Sequence, residues 1–146
     1  MLFSPPCEYA IRALTYLAGR DPAKPVSVAV IAEHADIPSR FLSKILLTLK
    51  NNHLLKATKG PGGGYRLAMP AAEIRLKDIA NAVNTPREQE KRCVLGLDMC
   101  SDSHPCPLHM EWKHFQDDMD DKIRYLTVAE LHDKLNEKRA HLKNKS

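Results

Sequence analysis

The chain has 146 residues and a mass of 16.4 kDa, enough for one ordinary domain or a small domain with an added helical element, and too little for two catalytic domains. Hydrophobic residues at 43% and charged residues at 27% match soluble globular averages, which sets aside disordered, collagen-like and fibrous classes. The formal net charge of +4 is unevenly spread: residues 1–80 carry 11 Lys or Arg against 6 Asp or Glu, and residues 81–146 carry 11 against 12.

The longest apolar stretches, near 28–32 and 41–49, are far shorter than the roughly 20 residues of a membrane helix. The start, Met1-Leu2-Phe3-Ser4-Pro5-Pro6, lacks the basic region and apolar run of a signal peptide. A cytoplasmic protein with no membrane attachment is expected.

Tyr9, Ala10, Ala13, Leu14 and Leu17 repeat at helical spacing, and Gly19 with Pro22 stops the run. Ser27 is placed to cap a second, short helix with Val28, Ile31, Ala32 and Ala35 on one face, and Asp36-Ile37-Pro38 breaks it. Ser39 starts a third helix with Phe41, Leu42, Ile45, Leu46 and Leu49 inward and Arg40, Ser43, Lys44 and Lys50 outward. Two short helices joined by a tight turn, the second basic on its outer face, form a helix-turn-helix. Ser39, Arg40, Ser43 and Lys44 are the candidates for the major groove.

Between Asp36 and Glu73 there is no acidic residue, while Arg40, Lys44, Lys50, Lys56, Lys59 and Arg66 all lie there. Such a stretch attracts phosphate. Leu54 to Thr58 and Tyr65 to Met69 read as two strands joined by Lys59-Gly60-Pro61-Gly62-Gly63-Gly64. A phosphate-loop reading fails because no Gly-Lys-Ser/Thr ending is present and the loop opens no helix. The hairpin reads instead as a wing, with Lys56, Lys59 and Arg66 serving phosphates or the minor groove. A fourth helix, Leu76 to Val83, closes this unit and is expected to end at Thr85-Pro86.

A loop from about Arg87 to Pro107 holds Cys93, Cys100 and Cys106, with His109 three residues beyond the last. Loops of this length in small domains usually carry function. Disulfides do not suit a reducing compartment, and thiols in a polar loop have little apolar surface to pack against. Three thiolates and an imidazole spaced Cys-x6-Cys-x5-Cys-x2-His suit zinc or an iron-sulfur cluster. Zinc knuckles use closer cysteine pairs, so the wider spacing leans toward a cluster, with zinc left open.

Leu108, Trp112, Phe115, Met119, Ile123 and Leu126 then form one apolar seam on a helix of about 19 residues, opposite Asp117, Asp118, Asp120 and Asp121. That seam is a dimerisation surface candidate. Thr127 caps a last helix through about Leu135, and 136–146 reads as a charged, frayed tail.

Glu8-Tyr9-Ala10-Ile11-Arg12-Ala13-Leu14, the wing Lys59-Gly60-Pro61-Gly62-Gly63-Gly64-Tyr65, and Cys93, Cys100 and Cys106 before a Trp112-containing helix together resemble the Rrf2 family of bacterial transcription regulators, in particular its iron-sulfur members of the IscR and NsrR type. The resemblance implies a homodimeric winged-helix regulator whose [2Fe-2S] or [4Fe-4S] cluster is held by the three cysteines and one other ligand. It also implies sensing of nitric oxide, redox state or iron supply. Cys93 and Cys100 are separated by six residues where the IscR type has five, and Cys7 is an extra thiol, either buried or a rarer ligand.

Two residues qualify as the fourth ligand. His109 stands one helical step past Cys106 and is the IscR-like choice; Glu8 resembles the position from which NsrR-like relatives supply a carboxylate across the dimer.

The expected organisation is mainly α with a small β-hairpin wing: a winged helix-turn-helix over 1–84, a cysteine-rich cluster-binding loop over 85–107, and a dimerisation helix with a C-terminal helix over 108–146. The expected function is a homodimeric repressor that binds a double-stranded DNA operator under control of the cluster, whose gain or loss at the loop sets the angle between two recognition helices. No nucleophile elbow, His-Glu-x-x-His or paired carboxylate set points to an enzyme. The competing reading is a zinc-stabilised structural or protein-interaction module with an incidental basic face.

Overall fold

The computed structural model describes residues 3–84 and 93–145. Helix α1 (Pro5–Ala18) is capped by Ser4, whose hydroxyl accepts from the Cys7 amide at 3.3 Å, and its two prolines occupy first-turn positions that need no amide hydrogen. Helix α2 (Val28–Ala35) starts at the expected Ser27 cap. It ends at Asp36, whose left-handed backbone (φ 54°, ψ 58°) lets the Ile37 amide return to the Ala32 carbonyl at 2.9 Å. Ile37 and Pro38 then lead into α3 (Ser39–Asn51).

Strands β1 (Leu55–Thr58) and β2 (Gly64–Leu67) are antiparallel, with Leu55 opposite Leu67, Lys56 opposite Arg66, Ala57 opposite Tyr65 and Thr58 opposite Gly64. On the other side of β2, Tyr65 and Val26 exchange both backbone hydrogen bonds at 2.8 Å, which ties the hairpin to the segment entering α2. A 3₁₀ turn (Ala71–Glu73) precedes α4 (Leu76–Val83), and α5 (His109–Tyr125) and α6 (Val128–Asn144) follow.

Helix α1 lies at the centre and packs on α2, α3, α4 and α6. Leu14, Ile31, Leu42, Leu46, Leu49 and Ile79 are fully buried in this core, each contributing about 1.5–3 kcal/mol of hydrophobic stabilisation. Val128, the first residue of α6, is also fully buried, and His132 Nδ1 lies 3.2 Å from the Thr15 carbonyl, so the last helix shares the core of the first. The segment between α5 and α6 pairs with the segment before α4: the Leu76 amide donates to the Leu126 carbonyl and the Val128 amide to the Ile74 carbonyl, both at 2.8 Å. One end of α5 is thereby fastened to the segment before α4.

The mainly α winged helix-turn-helix architecture is the one expected, with three local differences. Phe41 is 46% exposed; it lies at the edge of the buried stripe of α3, stacks on Tyr9 at 6.5 Å and is covered by the Arg40 guanidinium at 4.7 Å. Helix α6 continues nine residues past Leu135 to Asn144, because 136–144 contains no Gly or Pro and is rich in Lys, Glu, Arg, Ala and Leu, all good helix formers. The 3₁₀ turn lacks a periodic signature. The expected stop at Thr85-Pro86 and the start of the loop through Arg92 lie outside the described residues.

Candidate functional site

The buried side of α3 determines its exposed side. With Leu42, Ile45, Leu46 and Leu49 in the core, the helical repeat leaves Ser39, Arg40, Ser43 and Lys44 outside, all exposed. The Ser43 hydroxyl donates to the Ser39 carbonyl at 3.2 Å, which keeps that side chain close to the helix. On the hairpin, Lys56 and Lys59 are exposed and Arg66 is half-buried. Lys56 and Arg66 stand directly opposite each other on the same face of the ladder, although like charges so placed repel. Among the described residues none of Arg40, Lys44, Lys56, Lys59 and Arg66 forms an ion pair. Arg40 and Lys44 on α3, Lys56 and Arg66 on the strands and Lys59 in the loop joining them are cations without an acidic partner among the described residues.

The second constellation lies at the free end of α5. Cys93, Cys100 and Cys106 line a single cavity of about 200 Å³ together with His109, Met99 and His104. Gly96 (φ 75°) and Asp98 (φ 61°) curl the segment 93–98, and the Cys93 amide donates to the Asp98 carbonyl at 3.0 Å. The Cys93 thiol is held below its ordinary range, first by the Leu95 amide and then, against burial, by the Leu97 amide, Cys106 and the Gly96 amide. The Cys106 thiol is pushed up, first by its hydrogen bond with Cys93 and then by burial. Oriented amides around one sulfur favour a thiolate, the form that binds metal.

His109 begins α5 and is 6% exposed. Its amide donates to the Cys106 carbonyl at 3.1 Å, the turn that brings both side chains to the cavity as their spacing predicts. Its Nε2 lies 2.7 Å from Asp102 Oδ1, and its Nδ1 is buried with no hydrogen-bond partner. Lys113 Nζ reaches the same carboxylate at 3.3 and 3.5 Å. His109 and then Lys113 hold the Asp102 carboxyl below the usual carboxylate range.

Glu8 is exposed in the first turn of α1 and does not line the cysteine cavity of its own chain. Cys7 is fully buried within the hydrophobic core, which matches the buried-thiol reading. Asp102 and Lys113 were not among the sequence candidates. Lys113 is four residues past His109 on one helix face, a detectable spacing, but the reach of Asp102 depends on how the loop closes.

Among the described residues, no three His, Cys, Asp or Glu side chains converge as a preformed site for one metal ion. The residues nevertheless fit a larger sulfur-bound group: three thiols and an imidazole share one cavity, one thiol sits among amides, and the Nδ1 of His109 is buried without a hydrogen-bond partner.

A helix-turn-helix with a wing, followed by a cysteine-bearing loop and a long helix, defines a class of DNA-binding transcription regulators. The family model Rrf2, described as an iron-dependent transcriptional regulator, matches residues 3–134. The chain belongs to the Rrf2 family. It is 30% identical over 124 residues to the HTH-type transcriptional regulator IscR of Escherichia coli, covering 85% of this chain and 75% of that protein.

Among solved structures, the global cysteine regulator CymR of B. subtilis superposes with a TM-score of 0.72 at 21% identity, over 90% of this chain and 96% of that one. IscR of T. potens superposes at 0.70, also at 21% identity, over 90% and 86%. Both structural likenesses carry the fold. The relatives regulate transcription and are not enzymes, and no helix among the described residues is long and apolar enough to cross a membrane.

Proposed function

We propose that this regulator is a homodimeric repressor whose operator binding is controlled by an iron-sulfur cluster. The observation that carries the reading is that Cys93, Cys100, Cys106 and His109 line one cavity at the free end of α5. The fold alone does not decide the signal, since a regulator named for cysteine shares it.

Arg40, Ser43 and Lys44, with Ser39, are assigned to the major groove, and Lys56, Lys59 and Arg66 to the wing and phosphates; the support is exposure and uncompensated charge. The working units are 1–84 for DNA, 85–107 for the cluster and 108–146 for assembly. Leu108 (44% exposed) and Phe115 (48%), seven residues apart on one helical face, leave the free half of α5 apolar toward solvent on the side a second copy would cover.

The cluster ligands are Cys93, Cys100 and Cys106 with His109, and Glu8 of the partner subunit as the competing fourth ligand. An iron-sulfur cluster supplies, when bound, an oxidation- and nitric-oxide-sensitive link among these side chains. The protein supplies the leverage. Helix α5 has 17 residues and so spans about 25 Å from the cavity to its fastened end beside α4. Ser4 at the start of α1 donates to Asn84 Oδ1 at 3.0 Å, which ties the exit from α4 to the first helix. Ordering of the 93–109 segment therefore sets the direction of α5, and with it the separation of two recognition helices.

Anaerobic purification tests the reading. Brown protein with iron and sulfide by analysis and an operator affinity that changes on cluster loss is expected. Colourless protein with stoichiometric zinc defeats it in favour of the zinc-stabilised module.

A further inference from the structure

His109 divides two spaces. It lines the cysteine cavity, and it also lines a neighbouring cleft with Asp102, Trp112 and Lys113, whereas Asp102 lines the second cleft and not the first. The two ring nitrogens accordingly have different surroundings. Nε2 meets Asp102 Oδ1 at 2.7 Å, while Nδ1 is buried and without a hydrogen-bond partner.

A carboxylate has no proton to give, so the hydrogen in this contact belongs to Nε2. Neutral imidazole carries one such hydrogen, which leaves Nδ1 with a free electron pair. Buried polar nitrogens are almost always paired in native folds, and this one has no hydrogen-bond partner. The residue shares the lining of its cavity with the three cysteines.

The carboxylate is itself held in place. Lys113, one helical turn after His109, reaches both Asp102 oxygens, at 3.3 and 3.5 Å. Asp102 is thus gripped by two side chains of one helix face, and the ring cannot turn without losing its bond.

We propose that Asp102, steadied by Lys113, is a positioning residue that selects the Nε2-protonated form of His109 and thereby makes Nδ1 the atom offered to iron in the cysteine cavity. This inference rests on the reading of that cavity as an iron-sulfur site. A carboxylate behind a metal-binding histidine fixes the ring and raises its basicity, and losing such a partner typically weakens metal binding about 10–100-fold. The extra electron density on Nδ1 is what separates this role from simple support of the loop.

The test has two readouts. In cluster-free protein at mildly alkaline pH, long-range nitrogen–proton NMR of the His109 ring should show hydrogen on Nε2, and Asp102→Ala should lose that preference while retaining its melting temperature. After anaerobic reconstitution, the visible spectrum of Asp102→Ala should shift, and its cluster should be lost to a chelator about 10–100-fold faster than in the parent. Asp102→Asn, which keeps an acceptor without the charge, should restore the tautomer and only part of the lifetime.

A parent protein with hydrogen on Nδ1 overturns the proposal whether or not a cluster binds. The expected tautomer with equal cluster lifetimes in parent and Asp102→Ala overturns the positioning role. The expected tautomer in protein that takes up no cluster overturns the reading of the cavity and the ligand role with it, while the placement of the ring by Asp102 stands.

Discussion

Gly64 is the residue whose identity the backbone dictates most directly. Its φ of +148° is open to glycine, and a Cβ there would collide with the Val26 carbonyl in the bridge that holds the wing to the body. Gly62, with φ +73°, has open space where its Cβ would lie. Gly64→Ala should therefore cost roughly 2 kcal/mol or more, and Gly62→Ala about 1 kcal/mol, in urea unfolding. Equal costs would remove the bridge from the explanation.

The sequence alone reads these glycines as the loop of a wing; the demand of Val26 on Gly64 comes from a segment 38 residues earlier and is invisible to local pattern. Asp102 is hidden for the same reason, whereas Cys93, Cys100, Cys106 and His109 are legible because their spacing is itself the signal. Arg66 offers a second residue-scale test. Relieving its repulsion with Lys56 in Arg66→Gln should leave stability unchanged or raise it by a few tenths of a kcal/mol. The same change should weaken operator binding and reduce the salt dependence by about 0.9 in log–log slope if one phosphate contact is lost. A destabilised variant with parental affinity and slope would place Arg66 in the fold and not in the DNA interface.

At the scale of elements, caps and breakers made the first half readable: Ser27, Pro38 and Gly19 stand where the helices begin or end. Phe41 escaped because helical periodicity marks the edge of a stripe poorly, and stacking on Tyr9 under Arg40 holds it at the surface. The end of α6 escaped because its last turns are stabilised by propensity and local pairs such as Lys134 with Glu137 at 3.0 Å, without an apolar face.

Helix α5 shows both behaviours along one seam. Ile123 and Leu126 pack against the chain's own core, while Leu108 and Phe115 remain exposed. The proposed assembly surface is therefore assigned to the free half of the helix. Phe115→Glu should yield monomer by light scattering with the melting temperature retained, whereas Ile123→Glu should destabilise the fold itself by about 2–4 kcal/mol, because it places a charge against the core. A Phe115→Glu variant that stays dimeric moves the interface elsewhere.

In the whole molecule, stability and the candidate sensor are physically separate. The buried core is drawn from residues 7–80 and Val128, and no residue between 84 and 127 among those described is a member of it. Cys93 is buried, yet outside that core. A metal that creates a fold leaves an unfolded chain when removed, as in small zinc modules. Here α1 to α4, the wing and α6 are held by Leu14, Ile31, Leu46 and Ile79, none of which depends on the cysteine loop. Removing the bound group, or replacing Cys106 with Ser, should therefore leave the far-ultraviolet circular dichroism of the core helices intact and keep a cooperative melt. Amide exchange should rise in 93–109 and in the free half of α5, with little change at Leu14, Ile31 or Ile79. Operator affinity is the quantity expected to move, since only the direction of α5 has been released. Collapse of the helical signal on metal removal would mean that the cysteines build the fold, and the zinc-stabilised module would then account for the protein better than the sensor does.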